Sequence, residues 1–115
     1  MIEYAKKLKI TNFRGVFSRD ALPNKPFKNE SGIINLDDNF GGGTHWVAYC
    51  KKGSTVNYYD SFGNLPPPIE FMKYMKSVNK ILYNRQQEQS YNSTECGLLS
   101  LRFLIGDICK MNNKL

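Results

Sequence analysis

His45-Trp46-Val47-Ala48-Tyr49-Cys50, then Lys51-Lys52-Gly53-Ser54, then Thr55-Val56-Asn57-Tyr58-Tyr59-Asp60: two apolar runs flank a short polar turn. The pattern predicts a β-hairpin. Side chains alternate across a strand, so Trp46, Ala48 and Cys50 share one face, while His45, Val47 and Tyr49 share the other. The hairpin sets the only histidine of the chain at the start of one strand and a carboxylate, Asp60, at the end of the next. Gly41-Gly42-Gly43-Thr44 leads into the first strand, and Ser61-Phe62-Gly63 leaves the second.

Outward from the hairpin, Ile33, Ile34 and Leu36 predict a short strand before it. Thr11 to Phe17 is expected to turn through Gly15, with Phe13, Val16 and Phe17 in the core. Ser18 to Gly32, rich in Pro, Asn and Asp, reads as an extended surface loop. After the hairpin, Pro66-Pro67-Pro68 excludes strand and helix. Ile69, Met72, Met75 and Val78 then recur at near-helical spacing, which predicts an amphipathic helix over 69–78 with those residues inward. Ile81, Leu82 and Tyr83 suggest another strand.

Gln86 to Glu95 is polar, whereas Cys96 to Lys110 is apolar almost all round, as a buried central helix would be. The fold class is α+β: a small antiparallel sheet packed on a central helix that begins at Cys96. At 115 residues the chain reads as a single domain, 1–115. No apolar run approaches the ~20 residues of a membrane span, and the N-terminus lacks the apolar core of a secretory signal. The expectation is an intracellular protein with no membrane partner.

Sixteen basic residues against ten acidic leave a net charge of +6, a bias that favours acidic partners, nucleic acid included. The lysines are scattered, so a solvated cationic face is the plainer reading. Three cysteines without a CxxC pair, and a lone histidine, do not make an ordinary zinc site, so no metal is expected. Cys50 and Cys109, in apolar surroundings, read as reduced, buried thiols.

Cys96 differs from the other two. At the first turn of a helix, unpaired N–H groups and the macrodipole favour thiolate, lowering the pKa from a free value of about 8.5. Gly97 leaves room for a substrate backbone. An imidazole from a facing strand could complete a thiolate–imidazolium pair, with Asp60 accepting the other ring N–H. A loop glutamine could aim its amide at an oxyanion, as could the Cys96 backbone N–H. Gln86, Gln87 and Gln89 all qualify, and spacing does not choose among them. Trp46 could be core, or could shield the ion pair and line a narrow channel with Gly43 and Gly97.

Taken in order, Gly42-Gly43-Thr44-His45-Trp46, Tyr59-Asp60-Ser61-Phe62-Gly63 and Gln89-Ser90-Tyr91-Asn92-Ser93-Thr94-Glu95-Cys96-Gly97-Leu98 resemble adenain, the adenovirus maturation protease. They also resemble the wider clan that includes SUMO and other ubiquitin-like-protein proteases. Phe13-Arg14-Gly15-Val16-Phe17-Ser18-Arg19-Asp20 with Leu22-Pro23, and then Ile33-Ile34-Asn35, extend the likeness over nearly the whole chain, and its closest feel is to adenain-like proteases of the adenovirus–polinton type. The resemblance implies a papain-like core with His45 as base, Asp60 as orienting acid and Cys96 as nucleophile. It selects Gln89 as oxyanion donor. It further implies cleavage of viral or viral-like structural precursors at glycine-rich, small-residue sites during particle maturation, in a host nucleus or virion.

No cofactor is required for that chemistry, although activation by DNA or a short peptide fits the resemblance. A monomer is expected. Asp60 departs from adenain, which has Glu there, and follows the SUMO-protease pattern. Adenain also continues further beyond the nucleophile helix, so the chain reads as a minimal or truncated catalytic core. Two rivals stand beside this reading: an isopeptidase acting on ubiquitin-like tags, and a non-catalytic basic module that binds nucleic acid.

Overall fold

A five-stranded sheet organises the protein, with strands in sequence order: β1 (Phe13–Ser18), β2 (Asn29–Asn35), β3 (Trp46–Lys52), β4 (Thr55–Tyr59) and β5 (Lys80–Tyr83). A single short helix, α1 (Ile69–Tyr74), lies between β4 and β5. These elements come from a computed structural model that describes residues 10, 12–36, 45–60, 63, 66–83, 100, 103 and 104.

The fold is α+β as expected, but the sheet is mixed rather than antiparallel. β2–β3 and β3–β4 run antiparallel, whereas β1–β2 and β4–β5 are parallel pairs. Parallel neighbours need a long crossover. Residues 19–28 form the first, and the segment carrying α1 forms the second. Phe13 to Phe17, within the stretch expected to turn, instead join Ser18 in the edge strand β1, with a register irregularity between Phe13 and Gly15. The loop expected up to Gly32 ends earlier, because Asn29 to Gly32 pair with β3.

The hairpin forms with longer arms than the turn composition suggested. Lys51 and Lys52 belong to β3, which leaves Gly53-Ser54 as a two-residue turn. Gly53 has φ of 59°, a left-handed value that glycine adopts without steric cost.

The predicted alternation divides the core. Val47 and Tyr49 join Ile34, Val56, Tyr58, Phe71, Tyr74 and Met75 in one cluster, on the face that α1 covers. Ala48 joins Ile33 and Leu104 in a second, on the opposite face. α1 is shorter than expected and rotated: Phe71 and Tyr74 are buried, whereas Ile69 and Met72 are exposed; just beyond it, Met75 is buried as expected and Val78 packs against the same cluster. Aromatic contact explains the rotation. Phe71 sits 5.2 Å from the Tyr49 ring and 5.4 Å from that of Tyr58, and two rings bury more apolar surface than an Ile–Met stripe.

The second face receives the C-terminal helical segment. Leu104 packs on Ile33 and Ala48, and Phe103 stacks on Tyr59 at 5.0 Å. Cys50, buried on β3, is disulfide-bonded rather than a free thiol. Compartment reasoning from composition could not see this, because proximity of two sulfurs is a tertiary property.

A buried carboxylate ties the first crossover to the sheet. Glu30 is 1% exposed. Its Oε1 accepts from Arg14 Nη1 at 3.0 Å and from the Phe27 backbone N–H at 2.6 Å. Its Oε2 accepts from the Tyr49 hydroxyl at 2.5 Å and the Tyr74 hydroxyl at 2.8 Å. Gly32 makes this possible: a Cβ there would stand 2.7 Å from the Tyr49 ring, which lies across it. Burial works against the Arg14 charge, but the hydrogen bond to Glu30 together with attraction to Tyr74, Glu30 and Tyr49 outweighs it, and the guanidinium pKa is raised.

Burial pushes the hydroxyl pKa of Tyr49, Tyr58 and Tyr74 upward, reinforced by Glu30 at Tyr49 and Tyr74 and by Asp60 at Tyr58. Burial lowers Lys51 and Lys52. Raised folded pKa values mean that stability is whole below the unfolded tyrosine value of about 10 and falls as pH rises past it. The two lysines oppose this only up to their unfolded value of about 10.5. Urea midpoints should therefore drop with a slope that steepens above about pH 10.5 and is shallower in Tyr58→Phe. A flat profile through about pH 11.5 would contradict it.

Candidate active site

The β3–β4 register brings the histidine and the carboxylate together. Ala48 pairs with Tyr59, so one step further sets Asp60 against Val47, two positions along the same face from His45. Diagonal neighbours on one sheet face lie within reach of long side chains. His45 Nε2 meets Asp60 Oδ1 at 2.8 Å. The carboxylate is 1% exposed and the imidazole 13%, so the pair is nearly removed from water, where Coulomb attraction is strongest.

Backbone contacts hold both residues. The His45 carbonyl accepts from Leu36 N–H at 2.9 Å, which continues the β2–β3 pairing past Trp46. The Asp60 carbonyl accepts from Gly63 N–H at 2.9 Å. Gly63 takes a φ of 77°, so this turn favours glycine. Since Nε2 is held by Asp60, Nδ1 is the ring nitrogen facing away from the acid. An imidazole fixed in this way presents Nδ1 for proton exchange.

The helical segment reaches the same end of the sheet. Ser100 Oγ donates to the Trp46 carbonyl at 3.1 Å, one residue from His45. Trp46 is half-buried and packs with the second cluster beside Ile33, Ala48 and Leu104. Cys96, Gln89, Gly43 and Gly97 lie outside the described residues. So do Gln86, Gln87 and Cys109. The structure thus brings together His45 and Asp60, with Trp46 adjacent.

The fold is shared with known proteases. The chain is similar to the ASFV pS273R protease, at 25% identity and TM-score 0.53 over 74% of this chain and 35% of that one. A selenomethionine form of the same protease matches at 26% identity and TM-score 0.53, over 76% and 36%. The SUMO protease Ulp1, with its catalytic cysteine oxidised to a sulfinic acid, is a weaker likeness: 18% identity and TM-score 0.47 over 69% and 41%. That last is too remote to bear on function. No protein-family model and no curated protein sequence matches. The chain spans about a third of the length of the ASFV protease structures. The neighbours are cysteine proteases with a papain-like architecture, and the α+β core is of that type.

The buried node of Glu30 with Arg14, Tyr49 and Tyr74 escaped the sequence reading. Asn29-Glu30-Ser31 looks like any polar lead-in to a strand, and no local signal marks its middle residue as buried.

Proposed function

We propose that the chain is the catalytic core of a cysteine protease, with Cys96 as nucleophile, His45 as base and Asp60 as the acid that orients it. The Cys96 thiolate attacks the scissile carbonyl carbon. Gln89 and the Cys96 backbone N–H hold the oxyanion of the tetrahedral intermediate. The His45 imidazolium passes its proton to the leaving amine, leaving a thioester. His45 then takes a proton from water, whose oxygen displaces the sulfur and releases the acid.

The observation that carries this reading is the nearly dry His45–Asp60 contact of 2.8 Å, at the sheet end that receives Ser100. A strand-end acid with only a solvent role would gain nothing from burial beside the sole imidazole. The substrate is a polypeptide. The resemblance of the sequence to adenain favours precursors of viral or viral-like particles, cleaved at glycine-rich sites. Activation by DNA or a short peptide is tested by running the same assay with and without each.

The deciding experiment is mass spectrometry of cleavage products from a peptide library presented to wild type and Cys96→Ala. Turnover is expected to vanish in Cys96→Ala and to persist in Cys109→Ala, and in Cys50→Ala at a temperature where it remains folded. Full activity of Cys96→Ala ends the proposal. The mechanism also needs Cys96 as a free thiol. Peptide mapping of the oxidised chain reads this directly, and a Cys50–Cys96 bond in active protein would be incompatible with the mechanism.

A further inference from the structure

The lysines that are scattered in sequence converge in space. Lys25 and Lys28 of the first crossover, Lys51 of β3, Lys73 of α1 and Lys76 just beyond it line one cavity of about 440 Å³, together with Phe27. No carboxylate and no arginine lines it. Among the described residues none of the five lysines forms an ion pair. Glu30, the nearest buried acid, is already engaged by Arg14, the Phe27 N–H, Tyr49 and Tyr74.

Lys51 gives the cavity a built floor. The residue is 6% exposed, and its Nζ donates to the carbonyls of Phe27 at 2.8 Å and Lys28 at 3.0 Å. An ammonium has three N–H bonds, so one remains beyond these two carbonyls. Five cations gathered around one concavity repel each other, and an anion bound there offsets that cost.

We propose that this cavity binds phosphate groups, carried either by a free nucleotide or by single-stranded nucleic acid. Lysines act as point charges suited to phosphate oxygens. Phe27 supplies a further element: it is 59% exposed, and the Arg14 guanidinium covers one side of its ring at 3.9 Å. An exposed ring beside phosphate-binding cations is a platform for a stacked base. Lys51 lies six residues along the chain from His45, about 20 Å at ordinary strand rise, so binding here is separable from the protease chemistry.

The test is fluorescence anisotropy on the full chain, with a fluorescein-labelled oligothymidylate and with a fluorescent ATP analogue. ATP, tripolyphosphate and polyglutamate serve as competitors. Saturable binding of either probe is expected. Displacement of both probes by ATP assigns free nucleotide, and resistance of the oligonucleotide to ATP assigns nucleic acid. Lys73→Glu with Lys76→Glu should reduce the salt slope of oligonucleotide binding by about 1.4, at about 0.7 for each phosphate no longer neutralised. Phe27→Ala should weaken binding about tenfold, whereas Lys80→Glu, outside the cavity, should leave it unchanged. If the double variant does not fold, Lys25→Glu with Lys28→Glu takes its place. No saturable binding, wild-type binding by the charge-reversed variants, or equal displacement by polyglutamate would each overturn the assignment, the last in favour of an acidic peptide.

Discussion

Replacing His45 with alanine is expected to lower kcat/KM toward a Gly-Gly-X peptide by on the order of 10⁴-fold or more. It is the only histidine in the chain, so no second imidazole can take over the proton transfers. Asp60→Ala should cost less, roughly 10²- to 10⁴-fold, because the acid touches the ring through Nε2 and not the reacting atoms. Asp60→Asn should fall nearer to wild type, since an amide oxygen can still accept from Nε2–H. Residues that act as one unit are strongly non-additive. His45→Ala combined with Cys96→Ala should therefore be no worse than Cys96→Ala alone. Steady-state kinetics on these variants reads the series. Activity of His45→Ala within tenfold of wild type, or additive losses in the double variant, would show that the imidazole and the sulfur do not work together.

The second large effect is on stability. Glu30→Ala removes the single acceptor group shared by Arg14, Tyr49, Tyr74 and the Phe27 N–H. It leaves a partly buried guanidinium, with a side chain 19% exposed, that keeps the Lys25 carbonyl and the Tyr74 hydroxyl, and a buried Tyr49 hydroxyl without its acceptor. Breaking one side of a buried charged pair costs about 3–5 kcal/mol. Domains of this kind hold about 5–15 kcal/mol in total, so the variant sits near the edge of folding. Glu30→Gln keeps the shape and part of the acceptor capacity, and is expected to lose about 1.5–3 kcal/mol. Tyr49→Phe deletes one donor and should lose about 1–2 kcal/mol. Urea denaturation followed by circular dichroism ranks the three. A Glu30→Ala chain within about 1 kcal/mol of wild type would mean that the node does not anchor the crossover.

These two predictions differ in how far the residues behind them could be read beforehand. His45 and Asp60 are legible in sequence because a strand period of two and a short turn carry the pairing information locally. Glu30, by contrast, is set by four partners drawn from β1, the first crossover, β3 and α1, and no window of the chain contains them together. The rotation of α1 has the same origin. Its spacing supports more than one inward face, and the rings of Tyr49 and Tyr58 chose Phe71 over Ile69 and Met72. Mixed strand direction was illegible for a related reason: whether a crossover returns parallel depends on what it packs against.

Local pattern therefore determined the hairpin, the alternation of its faces, the α+β class and the histidine–acid pair, since each depends on residues a few positions apart whose geometry the backbone period dictates. Only the tertiary structure decided the Glu30 node, the disulfide at Cys50 and the gathering of five lysines around one cavity. Burial and charge are properties of what surrounds a side chain, and those surroundings exist only once distant segments have packed.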